Sequence, residues 1–230
     1  MITEKMTLEE MHKEIKRDST ELYLKSFTEY RLKMLRRASV KHKDKMACIG
    51  FFVNTSSKNR YACTLSVSGW KNFRKESINY CFVAIYNTSR GRYAVTTART
   101  KDVLFDRSAT QRFQPHFFSR YAERTNKNLT GEDLILKYFM HNNLACMQID
   151  PLNRDENEVF CSSVEGLSLG YREGFNVKFN TFIPYDNLNK TKYELSQEEV
   201  KHLHEMMIDK FGGIIECEKN QQINSHERTS

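Results

Sequence analysis

Apolar residues recur at helical spacing through the first forty positions. Met11, Ile15, Leu22, Leu24, Phe27, Tyr30, Leu32 and Leu35 form an irregular stripe, which predicts one helix over 7–39, or two helices broken near residues 18–20. Thr7 and Glu10 give its start the T-x-x-E form of a capping box. From Met46 the pattern shortens to β-branched and aromatic runs between polar turns, predicting antiparallel strands over 46–53, 61–67, 79–86, 92–98 and 103–105. Asn87 to Gly91, NTSRG, reads as a hairpin connection with Gly91 free to take positive φ.

Helical spacing returns over 115–124, with Pro115 suited to a first turn and Phe117, Phe118 and Tyr121 on the buried side. A second helix follows, capped by Thr130 with Asp133 in its first turn, burying Leu134, Ile135, Tyr138 and Phe139. After the polar loop 150–158 come strands over 159–164, 167–171 and 175–183, with Gly166 and Gly174 at their turns. A last amphipathic helix spans about 196–211, opened by Ser196 and Glu199 and stopped by Gly212 and Gly213, and residues 220–230 are polar enough to stay disordered. The expected fold is α+β: antiparallel sheet or sheets, one or two N-terminal helices, a central helical pair and a C-terminal helix. The expected divisions are a basic helical segment 1–45, an antiparallel region 46–106, an α+β core 107–211 and a tail 212–230.

Charge changes this picture more than composition does. Residues 1–128 carry 26 Lys and Arg against 12 Asp and Glu, whereas residues 129–230 carry 10 against 17. A first half this basic suits a polyanion, with RNA or another nucleic acid the commonest case, although the two halves could equally pack on each other or stay solvated. Basic residues mass around Arg36, Arg37, Lys41, Lys43 and Lys45. No apolar run approaches membrane length, and the start MITEKMTLEE is charged where a signal peptide needs apolar residues, so a cytoplasmic location and no membrane partner are expected. The six cysteines never come closer than fifteen residues, which leaves no CxxC motif, and most of them sit in apolar strand-like runs and read as small buried hydrophobes.

Chemistry gathers on PHFFSRYAER. On a helix, His116, Arg120, Glu123 and Arg124 share one face, placing an imidazole, a carboxylate and two guanidiniums where a phosphodiester could sit. Arginine grips phosphate oxygens in pairs. Glu123 either shares in proton transfer or pairs with a neighbouring cation and orients it. The plain alternative for the whole patch is a solvated helix face.

The His-x-x-x-Arg-x-x-Glu-Arg helix, the following TGEDLILKYF helix at 130–139 and the late FNTFIPYDNL strand at 179–188 resemble the small toxin-type ribonuclease superfamily. That superfamily includes the BrnT and RelE toxins, with barnase, colicin D and EndoU as distant fold relatives. The resemblance covers about residues 92–188 and leaves the N-terminal extension outside it. It implies metal-independent RNA cleavage without a cofactor, in which a base activates the ribose 2′-hydroxyl, cations stabilise the phosphorane and a proton returns to the leaving oxygen. His116 would be base or acid, Arg120 and Arg124 the clamp, and Thr181 a phosphate donor.

A second nucleic-acid signal lies in SGWKNFRKES, where Trp70 and Phe73 alternate with Lys71, Arg74 and Lys75. Rings of this kind stack on unpaired bases while cations hold the backbone, but a loop anchored by a buried Trp looks the same. Arg90 and Arg92 flank the hairpin tip as further phosphate-binding groups. His202 and His204 stand at i and i+2, on different sides of a helix, and no H-E-x-x-H, phosphate loop or G-x-S-x-G occurs, so no metal, nucleotide-hydrolysis or serine-hydrolase site is expected. The leading reading is an RNA-directed protein with endoribonuclease chemistry. Its alternative is a non-catalytic regulator or inhibitor that binds nucleic acid or a protein partner.

Overall fold

The computed structural model describes residues 1–41, 46–97, 110–142, 146–149, 157–174, 176–190 and 214–216. Two helices, α1 (Leu8–Ser26) and α2 (Glu29–Lys41), precede four strands, β1 (Met46–Asn54), β2 (Arg60–Ser68), β3 (Asn79–Thr88) and β4 (Gly91–Thr97). Then come β5 (Thr110–Phe113), α3 (Pro115–Arg124), α4 (Gly131–Asn142), β6 (Cys146–Ile149), β7 (Glu158–Ser162), β8 (Gly166–Glu173), β9 (Asn176–Pro184) and β10 (Ile214–Glu216). The expected strand at 103–105, the C-terminal helix at 196–211, the polar tail, Lys43, Lys45, His202 and His204 lie outside the described residues. Among the described residues, no helix is long and apolar enough to cross a membrane.

Among the described residues, ten strands form one sheet in the order β10-β1-β2-β3-β4-β5-β9-β8-β7-β6. It is mixed, which corrects the purely antiparallel expectation. Two antiparallel meanders, β1 to β5 and β6 to β9, meet where β5 pairs with β9 in parallel, and β10 adds to β1 in parallel. The long crossover through α3 and α4 makes the β5–β9 pairing possible, because parallel neighbours cannot be joined by a tight turn. The regions on either side of residue 106 are therefore continuous through β4 and β5.

Each face of the sheet has its own core. On one, α3 and α4 bury Phe117, Tyr121, Ile135 and Tyr138 against Ala62, Val83, Phe113, Phe179 and Phe182. The rings interlock: Phe113 stacks on Phe179 at 4.8 Å, and Tyr121 meets Phe182 edge-on at 5.1 Å. On the other, α1 and α2 cover Ala47, Ile49, Tyr61, Leu65, Ala84 and Val95.

The expected capping box of α1 forms, with the Thr7 amide donating to Glu10 and the Glu10 amide to the Thr7 hydroxyl. The helix break does not fall at residues 18–20, as expected, but at Phe27–Thr28. Asp18, Ser19 and Thr20 stay helical because the Asp18 carboxylate is turned toward the β1–β2 loop and the start of β2, where it accepts from Thr55, Ser57, Asn59 and Tyr61. Ser19 returns its hydroxyl to the Lys16 carbonyl. With its carboxylate turned away, Asp18 does not compete with the helix backbone in the way that disfavours such residues in a helix interior.

β9 carries one extra residue. Gly170 is in register with Phe179 and Leu169 with Thr181, so Asn180 is bulged out of the ladder. The bulge lets Phe179 and Phe182, three apart, enter the same core. Gly170 is required opposite it, since a Cβ there would press into the Lys178 carbonyl.

Candidate nucleic-acid interface

α3 forms over the predicted span, with Pro115 in its first turn and Phe117, Phe118 and Tyr121 buried. His116, Arg120 and Glu123 lie on its outer side, where Arg120 and Glu123 are well exposed. Arg120 donates to Glu123 at 2.9 Å, so the carboxylate is engaged with a guanidinium. Arg124 is turned inward and donates to the Phe182 carbonyl, fastening the end of α3 to β9. Thr181 is not brought to this face. It neighbours Phe182, whose ring packs under α3, and strand alternation therefore sends Thr181 to the opposite side of the sheet. The structure thus gathers His116, Arg120 and Glu123 and leaves Thr181 apart from them.

The β3–β4 hairpin comes to the amino ends of both central helices. Gly91 takes φ of +119° and sits against Pro115, where a Cβ would come within 3.0 Å of the proline ring. Arg92 donates to Asn87 at 2.9 Å and spreads its guanidinium over Gly131 at the start of α4. Arg90 is exposed at the tip, beside the helix end that carries His116.

The SGWKNFRKES segment forms the connection between β2 and β3, with short 3-10 turns at Trp70–Asn72 and Lys75–Ser77. Trp70 is 41% exposed, so this is not a loop pinned by a buried indole. Lys71, Arg74 and Lys75 are exposed around it, and none of the three forms an ion pair with a carboxylate among the described residues. Phe73 is half-buried and packs on the α1–α2 core. Sequence reading missed what lies underneath: Lys75 stands 5.5 Å above the Tyr23 ring, Tyr23 stacks on Phe27 at 4.2 Å, and both meet Tyr80 edge-on. α2 packs beside the first of these turns, adding exposed Arg36, Arg37 and Lys41. Two basic segments about thirty residues apart are thereby joined into one surface.

Two carboxylates held inside the fold also escaped the sequence reading. Glu165, in the β7–β8 turn, accepts from Tyr121 at 2.5 Å, His141 at 2.9 Å and Asn142 at 3.0 Å, with Lys127 at 3.0 Å. Burial by itself would raise this carboxyl. The hydrogen bond and charge of His141, with the bonds from Tyr121 and Asn142, outweigh burial and hold it well below the usual range. Tyr121 is pushed the other way, by burial first and by the Glu165 charge second. Asp18 is likewise lowered, its four hydrogen bonds outweighing burial. Both act as tie points between elements.

No group of His, Cys, Asp and Glu side chains among the described residues could hold a metal ion. Burial raises the Cys63 thiol to about 12 and the Cys81 thiol to about 11, so neither is an available nucleophile. Against family models, curated proteins and solved structures, the chain finds no match.

Proposed function

We propose that this protein binds RNA, and that it takes unpaired strands on the surface built from the β2–β3 connection, α2 and the end of α1. The observation that carries this reading is the exposed Trp70 set among the exposed cations Lys71, Arg74 and Lys75. An exposed indole offers a π face to any base, at about 1–3 kcal/mol per stacked base, while neighbouring cations hold the phosphates without regard to sequence. The predominance of positive charge in residues 1–128 adds attraction at longer range.

Salt dependence tests it. For a twelve-residue single-stranded RNA followed by fluorescence anisotropy, affinity should fall steeply with salt. Replacing Lys71, Arg74 and Lys75 together by glutamine should flatten the log–log slope by about 2, at roughly 0.7 for each phosphate that the protein ceases to neutralise. An unchanged slope would remove this surface from the binding site.

A second reading, cleavage of that RNA in the manner of the toxin ribonucleases, is supported by the exposure of His116 and Arg120 on one face of α3 with Arg90 near its amino end. There His116 would take or return the proton while Arg120 stabilises the phosphorane. Metal-free incubation of labelled RNA in EDTA decides between the two. Cleavage that disappears in His116→Ala and Arg120→Ala establishes the enzyme, and intact RNA with undiminished binding establishes the binding protein.

A further inference from the structure

The rings beneath the β2–β3 connection form a run that reaches the surface. Phe82 lies 5.0 Å from Tyr80, Tyr80 meets Phe27 edge-on at 5.6 Å, and Phe27 stacks on Tyr23 at 4.2 Å. Tyr23 and Phe27 share one side of α1 because they are four residues apart, and Tyr80 and Phe82 share one face of β3 because they are two apart. All four are only half-buried. The rings of the α3–α4 core differ in this respect, with Phe113, Phe117, Tyr121 and Phe179 at most 3% exposed.

Phe27 takes one face of the Tyr23 ring, with 22° between the planes, and Tyr80 takes an edge at 70°. The Lys75 ammonium stands 5.5 Å from the ring centroid, over the face that the stacked Phe27 leaves open. The backbone under that lysine is anchored. The Ile78 amide donates to the Lys75 carbonyl and the Ser77 amide to the Arg74 carbonyl, while Ile78 itself is buried in the α1–α2 core. The Lys75 side chain is exposed, so its ammonium can leave Tyr23 by rotation about side-chain bonds with the turn unchanged.

We propose that Tyr23 is a second base platform of the RNA surface and that Lys75 is its cover. On binding, the ammonium moves from the ring to a phosphate, and a base stacks where it stood. This rests on the reading of the Trp70 surface as an RNA site. The exchange gains at both ends: a base stacked on a ring outweighs an exposed cation–π contact, and a phosphate attracts the ammonium more strongly than a neutral ring does. Trp70 and Lys75 are five residues apart, at most ~18 Å along the chain, so one short strand spans both turns.

Fluorescence anisotropy of the full chain with a single-stranded eight-residue oligoadenylate, read from about 0.05 to about 0.5 M salt, tests this. Tyr23→Leu, which keeps an apolar side chain on Phe27, should weaken binding about tenfold, and should weaken it again in the Trp70→Ala background. Tyr23→Phe keeps the ring and should bind as the wild type does. Lys75→Gln removes a phosphate contact and a cover together. Its affinity should fall below the wild type at low salt, lose about 0.7 of the log–log slope, and exceed the wild type at high salt, where the phosphate contact counts for little. If Tyr23→Leu melts early, that crossover carries the test, because removing a lysine that only pairs with phosphate does not tighten binding. Full affinity in Tyr23→Leu, or Lys75→Gln weaker than the wild type at every salt concentration, overturns the proposal. If Trp70→Ala is weakened in the same series, the second platform alone falls; no binding of the octamer, or an unchanged Trp70→Ala, removes the RNA surface along with it.

Discussion

Asp18 and Glu165 each collect four partners around one carboxylate, and each joins parts of the chain that packing alone would leave free to slide. Asp18 locks α1 to the β1–β2 loop, and Glu165 locks the β7–β8 turn to α3, α4 and the loop between them. Hydrogen bonds to a charged group contribute about 1.5–3 kcal/mol, and partners left unsatisfied cost more than the bond itself gains. Asp18→Ala should therefore lower stability by about 3 kcal/mol, read as an early urea midpoint with unchanged slope. Glu165→Gln should cost about 2–3 kcal/mol at pH 7. The Glu165 carboxyl is lowered by folding from an ordinary value of 4.5, so its contribution is complete above that pH and is lost as pH falls toward its folded value. The gap between wild type and Glu165→Gln should thus narrow steadily below pH 4.5; a gap that widens there on acidification would contradict this role. Neither residue announced itself in sequence, because their partners lie 23 to 44 positions away and are common types.

At the scale of elements, local pattern was legible wherever an element is long enough to show its period. The capping box at Thr7, the hairpin at Gly91, α3 from Pro115 to Arg124 and strands β1 to β4 all carry their own signals. β5, β6 and β10 were not legible, since runs of three or four residues show no periodicity and their pairing is set by distant strands. The α1–α2 break falls later than the polar residues suggest, because the Asp18 carboxylate is claimed by tertiary partners rather than by the helix backbone. Nothing local reveals the β9 bulge either, yet it decides which face Phe182 and Thr181 occupy. Deleting Asn180 should restore strict alternation, turn Phe182 out of the aromatic core and abolish the cooperative unfolding transition followed by circular dichroism. An equally cooperative deletion variant would show that the bulge is dispensable. The same reversal accounts for Thr181: spacing along the chain gave no sign that it faces away from His116.

At the scale of the whole molecule, one sheet separates two candidate surfaces. α3 and α4 cover one face and present His116 and Arg120, while α1 and α2 cover the other and meet the Trp70 connection at its end. The basic excess of the first half was plain from composition, but its focus was not, because bringing α2, Tyr23 and the β2–β3 connection together depends on the packing of α1 and α2 onto strands read only as separate runs. Trp70 is the sole tryptophan of the chain, so intrinsic fluorescence reports directly on the surface assigned to RNA. Titration with single-stranded RNA should quench that emission in parallel with binding measured by anisotropy, a duplex of the same sequence should leave it nearly unchanged, and Trp70→Ala should weaken single-strand binding by about 1–3 kcal/mol. Binding of single-stranded RNA with no change in tryptophan emission, and with full affinity in Trp70→Ala, would contradict the account.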